Sequence, residues 1–321
     1  MKRLATTAKR IYRAVLPEKV RAKVHEARAR AQRLRWDFVK HTGGQLLKEI
    51  EPGVKMKLYG DSVLCEMLLF QNFEKETRAF LKAFLRPGDI FLDVGANVGL
   101  FTLIAARRVG APGKVHAFEP VRKTNARLTE NVRLNGLTNV ACHCVAFSDT
   151  IGEATITVAG EGFDAWNSLG KPYMGEVVGT EVVATTTLDE FVGRHSLTGR
   201  ISAIKIDVEG WENRVLIGAN RTLSRHDAPL LVVEFTEQAA RLAGSSCNEL
   251  HRALNALGYE SMIFDQLTPA LTLLPIADQY SDTNVIASKR RSELVVRLGE
   301  DWIVPIQSSD VAIARPEEGM N

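Results

Sequence analysis

Cysteine is scarce in this sequence: four residues in 321, at Cys65, Cys142, Cys144 and Cys247. So few argue against a disulfide-stapled scaffold and point to a reducing, cytoplasmic setting. Long apolar runs are missing too, and no stretch approaches the roughly 18–20 apolar residues of a membrane-spanning helix. The basic N-terminus has no apolar signal core, because Ala14-Val15-Leu16 stops at Pro17. No Gly-x4-Gly-Lys-Ser/Thr loop occurs, which excludes a phosphate-loop enzyme. None of the five tyrosines has a lysine four places on, so the Tyr-x-x-x-Lys pair of many nicotinamide oxidoreductases is absent. There is no internal repeat and no low-complexity tract.

What is present is an ordinary core composition, 45% apolar and 25% charged, enough for one large α/β domain with appendages. The charge is unevenly divided. Residues 1–40 hold thirteen Lys/Arg against Glu18, Glu26 and Asp37, a net of +10. The whole chain is +3, which leaves −7 for the rest. Residues 1–40 read as a basic arm of two helices split by Pro17. Leu4, Ala8, Ile11, Tyr12 and Val15 share a face of the first; Val20, Val24, Ala27, Ala31, Leu34 and Phe38 form the stripe of the second. The stripe is expected to pack on the body or on a second subunit. Peripheral contact with anionic lipid is the alternative. Beyond Tyr12, Trp36 and Phe38 no aromatics interleave the charges, so no nucleic-acid partner is expected.

Residues 41–85 read as a connecting lobe ending in a helix over 74–85, and Arg86-Pro87-Gly88 as a turn. Strand and helix then alternate. Strands are expected over 89–94, 114–118 and 140–144, with helices over 100–109 and 122–135. After strands over 152–158 and 181–187, flanking a polar loop, and a short helix over 188–192, the alternation resumes. It has strands over 203–207 and 230–235, helices over 211–223 and 248–257, and strands near 259–264 and 284–287. That pattern predicts a Rossmann-like, doubly wound, mostly parallel α/β sheet spanning residues 86–288. Residues 289–321 read as a peripheral extension.

The chemistry concentrates in two places. Asp93-Val-Gly95-Ala-Asn97-Val-Gly99 sits between a strand and a helix, and Glu119 ends the next strand, 26 positions after Asp93. Glycines admit positive φ and close backbone approach, and the helix start favours an anionic or polar ligand. A dinucleotide turn has glycine in the middle place to admit a pyrophosphate. Asn97 crowds that place but suits the amino-acid end of S-adenosylmethionine. Asp93 is positioned to face a sulfonium or ammonium, and Glu119 to accept two hydrogen bonds from a ribose diol. Asp149, past the third strand, is a candidate acceptor for the exocyclic amine of adenine or else a turn-initiating residue.

The second place is Ile204-Lys205-Ile206-Asp207-Val208-Glu209-Gly210, a strand running into acids, with Glu234 ending the following strand. Carboxyl ends of parallel strands open on the ligand crevice. Lys205 inside an apolar strand requires a partner, and Glu234 is the expected one. Methyl transfer to oxygen needs an aligned hydroxyl relieved of its proton, with Glu209 or Lys205 as the base and Asp207 in a positioning role. No His or Asn accompanies the acids at fixed spacing, so no metal is expected. Cys142-His143-Cys144 lacks a second ligand pair and reads as packing.

Together these stretches resemble the FkbM family of S-adenosylmethionine-dependent methyltransferases. The matching pieces are Asp93–Gly99, Ala117–Pro120, Asn131–Val140, Ser148-Asp149, Thr187–Asp189, Ile204–Gly210 and Val233-Glu234, spread over residues 75–288. The resemblance implies the class I methyltransferase fold and S-adenosylmethionine as cofactor. It implies O-methylation of a hydroxyl on a small molecule, sugar or glycolipid. It implies that Gly95, Asn97, Gly99 and Glu119 line the cofactor, with Asp149 beside adenine. Asn167 and Ser168 fall in the loop where such enzymes receive substrate. Two other readings compete: a catalytically silent module acting through its basic arm, and a nicotinamide-dependent oxidoreductase, which Asn97 opposes.

Overall fold

The computed structural model describes residues 17–71, 73–160, 162, 166–264, 270–299 and 302. Helix α1 (Glu18–Thr42) leads into the hairpin β1 (Gln45–Glu51)–β2 (Val54–Tyr59), then α2 (Val63–Phe70) and α3 (Lys75–Phe84). The alternating part begins at β3 (Ile90–Val94) and continues through α4 (Leu100–Val109), β4 (Lys114–Phe118), α5 (Arg122–Leu134) and β5 (Val140–His143). A small sheet of β6 (Ala146–Phe147), β7 (Gly152–Ala159) and β8 (Val177–Thr186) interrupts it. It resumes with α6 (Leu188–Arg194), β9 (Ala203–Ile206), α7 (Glu212–Ile217), α8 (Asn220–Leu223) and β10 (Leu230–Phe235). Then come α9 (Glu237–Leu242), α10 (Cys247–Ala256), β11 (Glu260–Phe264), β12 (Leu271–Leu273), β13 (Thr283–Ser288) and α11 (Arg291–Leu298).

The central sheet has the order β12-β11-β13-β10-β9-β3-β4-β5. Strands β5, β4, β3, β9 and β10 are parallel, and β13 inserts antiparallel between β10 and β11. This is the expected Rossmann-like, mostly parallel sheet. Every residue of β3 and of β9 is buried, as required of strands covered on both faces. Alternate residues feed two cores: Phe91 joins Leu103 and Leu128 on one side, whereas Leu92 joins Ile204 and Leu231 on the other. The chain winds outward from β3 to β5, returns, and winds the other way from β9. The sheet therefore has its switch point between β3 and β9, where the carboxyl ends leave a crevice.

Several expectations change. The lobe over 41–85 contains a hairpin and a helix as well as α3; Gly53, at φ 80°, turns the hairpin. The helix expected over 211–223 is two helices, broken at Gly218, where a Cβ would lie 2.1 Å from the Ser148 carbonyl oxygen. The boundary expected at residue 288 does not separate an appendage. Helix α11 buries Leu294 in the core, and Arg297 bonds Asp89 at 2.6 Å. The stripe on α1 is not the packed face: Leu34 and Phe38 are 64% and 68% exposed, while Trp36 and Val39 are buried. Polar contacts to α2 set that rotation, with Gln32 donating to the Leu69 carbonyl and Arg33 and Lys40 pairing with Glu66. The helix expected over residues 1–16, and residues 303–321 of the extension, lie outside the described residues. Among the described residues no helix is long and apolar enough to cross a membrane.

On β4 and β5, His116 Nδ1 and His143 Nε2 are 3.1 Å apart, and the His143 ring stacks on Phe118. This assigns the Cys142-His143-Cys144 fragment to packing. Burial, reinforced by neighbouring histidines and Lys114, lowers both imidazoles to about 4. The unfolded chain takes up protons near the ordinary value of about 6.5, so it binds more protons than the folded chain between pH 6.5 and 4. Stability attributable to this pair should therefore decline as pH falls through that window and level off below it. Thermal melts should show His143→Gln gaining on the parent as pH drops from 7 to 4.5. A pH-independent difference between the two proteins would remove the pair from the acid response. A second expectation concerns Gly95, at φ 83°, where a Cβ would fall 1.7 Å from the Asp207 carbonyl oxygen. Gly95→Ala should cost about 2–4 kcal/mol in denaturant unfolding, combining left-handed strain with overpacking against backbone.

Candidate active site

The crevice at the switch point holds a cavity of about 230 Å³. Its floor comes from the carboxyl ends of β3, β4, β9 and β10; its walls come from α2, residues 73–74 and the segment 166–173. Three alternate residues of the turn after β3 have positive φ, at 83° for Gly95, 46° for Asn97 and 100° for Gly99. Asparagine tolerates the left-handed region better than most side chains, and here its Oδ1 accepts from the next amide, Val98 N–H, at 2.7 Å. Gly95 and Ala96 both donate to the Phe118 carbonyl, which fixes the turn against β4.

Glu119 is only 6% exposed and lines the cavity. Its Oε2 accepts from Asn97 N–H at 3.1 Å and its Oε1 from Val121 N–H at 3.0 Å. The carboxylate is thus oriented by backbone before any ligand arrives. A nucleoside cofactor fits this cradle: a left-handed turn and a buried, preoriented carboxylate border one cavity whose other walls include Val145, Phe147 and Ile156. The glycines have a reason beyond the ligand. Gly95 is forced by the Asp207 carbonyl, and Gly99, which does not line the cavity, by Leu128 Cδ1, 2.7 Å from where a Cβ would be.

Two residues expected to face the cofactor are directed elsewhere. Asp93 is buried, accepts from the Thr102 hydroxyl and is not in the cavity lining. Burial raises its pKa, which Lys205 and Thr102 partly offset. Asp149 is also outside the lining: its Oδ2 accepts from Arg214 at 2.8 Å and its Oδ1 from Ser148. Asn167 lines the cavity, with its Oδ1 accepting from Ala159 N–H at 2.9 Å. Ser168 does not line it; its hydroxyl donates to the Glu209 carbonyl at 2.7 Å and holds the loop to the strand end.

Lys205, Asp207, Glu209 and Glu234 line the same cavity. Lys205 is 1% exposed and pairs with Asp207, not with the expected Glu234. Glu234 lies on β10, beyond the direct bond that Asp207 makes from the same strand end. Burial alone would lower the lysine, but Asp207, Glu74 and Asp93 outweigh it and hold the ammonium well above its ordinary value. Lys205 is therefore a fixed cation and not the proton acceptor considered from sequence. Its Nζ sits 4.5 Å from the centre of the Phe101 ring. Glu209 and Glu234 are raised well above the ordinary carboxyl value, first by burial and then by neighbouring acids that include Asp207. Glu209 has φ 54°, a left-handed conformation steadied by Ser168 and by Glu212, which accepts from Val208 and Gly210 N–H.

Sequence reasoning missed Glu74, Tyr173 and Trp211, all of which line the cavity. Glu74 accepts from Asn284 Nδ2 at 2.7 Å and lies in the field of Lys205. No local pattern marks Glu74 or Tyr173. Trp211, directly after Glu209-Gly210, could have been found from its place at the start of the helix; its Nε1 donates to Ser148 Oγ at 3.0 Å.

The methyltransferase FkbM domain model matches residues 93–261, more than half of the chain and all of the carboxyl-end floor described above. Among curated proteins, the 31-O-demethyl-FK506 methyltransferase FkbM of Streptomyces tacrolimicus is 32% identical over 164 residues, 42% of this chain and 60% of that protein. The match therefore spans less than two thirds of the relative's length. Solved structures with a similar fold include the methyltransferase FkbM of Methylobacillus flagellatus KT (16% identity, 70% of this chain and 52% of that one, TM-score 0.39). They also include SMU.1697c of Streptococcus mutans, solved with SAH (11% identity, 66% of this chain and 95% of that one, TM-score 0.39). With that match in place over the switch-point crevice, the chain belongs to the FkbM methyltransferase family.

Proposed function

We propose that this chain is an S-adenosylmethionine-dependent O-methyltransferase acting on a hydroxyl of a small molecule, with sugars and glycolipids as the acceptor classes to test first. The observation that carries this reading is that two unlike sets of residues line one cavity: the left-handed turn with Glu119, and the acids Asp207, Glu209 and Glu234. The cofactor, when bound, supplies a methyl group on a sulfonium, an electrophile that needs no metal or redox partner to react. The protein's part is to hold that group in line with a desolvated hydroxyl and to take away the hydroxyl proton.

In this reading Glu119 grips the ribose diol, and the backbone from Gly95 to Asn97 borders the amino-acid end. Lys205 holds the Asp207 side chain in place through their ion pair. Glu209 and Glu234 face the acceptor, and their raised affinity for a proton suits a general base better than an ordinary surface carboxylate would. The name of the Streptomyces relative denotes methylation of a demethylated oxygen, which favours oxygen as the nucleophile here too. The apolar walls, among them Met67, Phe73 and Trp166, favour an acceptor with an apolar body as well as hydroxyls.

The decisive experiment is mass spectrometry of metabolites and glycolipids from a deletion strain, seeking a species lighter by one methyl group, followed by transfer from labelled cofactor in vitro. In calorimetry the protein should bind S-adenosylmethionine and not NAD; the opposite preference would end the methyltransferase reading. Glu119→Ala should weaken cofactor binding by roughly 10- to 100-fold, as expected for losing charge-assisted hydrogen bonds. Glu209→Gln should lower kcat by about 100-fold or more while leaving cofactor affinity close to the parent's. A variant with parental kcat would transfer the base to Glu234.

A further inference from the structure

The acid cluster lining the cavity contains more than a base needs. One carboxylate oxygen from each of Asp207, Glu209 and Glu234 lies within 4.8 Å of the others. Glu209 Oε2 and Glu234 Oε2 are buried and have no hydrogen-bond partner among the described residues. A third such oxygen comes from outside the cluster: Asn284 Oδ1, also buried and without a partner. Asn284 is paired directly opposite Glu234 across β10 and β13, so the two side chains share a face. Its amide nitrogen is committed to Glu74, itself part of the cavity lining, and its oxygen is left without a partner among the described residues.

All three orphaned atoms are acceptors, and the one buried cation close by, Lys205, is bonded to Asp207. We propose that Asp207, Glu209 and Glu234, with Asn284 beside them, form a binding site for a hard divalent cation, magnesium or manganese, that takes the acceptor hydroxyl as one of its remaining ligands. This rests on the cavity being the methyl-transfer site. The ligand set is all oxygen, which selects such ions over zinc or copper. The oxygens are close enough to one another to share a single ion, around which opposite ligands stand about 4.2 Å apart for magnesium and about 4.8 Å for calcium. Each carboxylate has two oxygens, so ligation through one leaves the other to receive the hydroxyl proton. A hydroxyl on the ion becomes more acidic, which eases that transfer. An acceptor with two neighbouring oxygens, as in a sugar diol, would chelate the ion and outcompete a lone alcohol.

The test uses the full chain stripped with chelator and then titrated with Mn²⁺, read by electron paramagnetic resonance and by calorimetry. One site per chain is expected, competed by Mg²⁺ and weakened about 10- to 100-fold or more in both Glu234→Gln and Glu209→Gln. Circular dichroism confirms that each variant is folded. Wild-type protein that binds S-adenosylmethionine but no Mn²⁺ would overturn the metal site and leave the methyltransferase reading intact. Stoichiometric Mn²⁺ binding that persists unchanged in both variants would place the ion elsewhere and also overturn it. Mn²⁺ binding lost in the variants, in a protein with no affinity for S-adenosylmethionine, would support the site and overturn the methyl-transfer reading.

Discussion

Lys205 has to be charged where charge is expensive. It occupies the second-last position of a fully buried strand, and an isolated ammonium there would cost far more than any single contact could return. Three carboxylates answer it: Asp207 by direct bond, Asp93 and Glu74 by their fields. The bond to Asp207 fixes the backbone after β9 as well as the side chain. Asp207 N–H donates to the Val94 carbonyl, and the Asp207 carbonyl stands where a Cβ on residue 95 would be. That is why the turn begins with glycine. The same turn is held on its other side by Gly95 and Ala96 donating to Phe118, and Asn97 then donates to Glu119. An ion pair and a carboxylate that line one cavity are thus joined through one clamped turn, with strands β9 and β4 as its jaws.

The cluster beyond that ion pair is poor for stability. Glu212 is buried and Glu209 and Glu234 are half-buried, and each is pushed toward its neutral form first by loss of solvent. A chain selected only to fold would place apolar residues at these strand ends, as it does at Val233 and Phe235 on either side of Glu234. Polar groups that cost stability and converge on one cavity are the usual mark of a site whose partner arrives from outside. The left-handed backbone at Glu209 adds strain at the same spot, and Ser168, anchored to its carbonyl, is what the neighbouring loop contributes to holding it.

Much of this was readable from residue order because it is local. Asp93 to Glu119 is one strand-turn-helix-strand unit, and periodicity plus three small or turn-forming residues identify it without knowledge of distant contacts. The bounds of β4 and α4 fall where the pattern put them. What failed had long-range causes. The α1 stripe looked like a packing face, but Gln32, Arg33 and Lys40 find partners on α2 and turn Trp36 and Val39 inward. The residue between the two helices after Trp211 has to be glycine because the Ser148 backbone, some seventy positions earlier, leaves no room for a side chain at Gly218. Lys205 was recognised as needing an acid; which acid depended on strand-end geometry that spacing does not encode. Asp93 and Asp149 are acids at the right strand ends, yet each already satisfies a neighbour, Thr102 or Arg214.

The residues that line the cavity also differ in how the sequence carries them. The turn and Glu119 come from residues 93–119, inside the stretch that matches the family domain. Leu64, Met67, Phe73 and Glu74 join the cavity from before residue 93, and Glu74 bonds Asn284, after residue 261. The cavity walls therefore depend on segments outside the matched domain, folded over the crevice by contacts spanning up to 210 positions. A pocket wall made of such segments can change its acceptor without disturbing the turn, the ion pair or Glu119. On the proposed reading, family membership bears on what is transferred more than on what receives it, and these segments, together with the loop that carries Asn167, are where acceptor choice would reside.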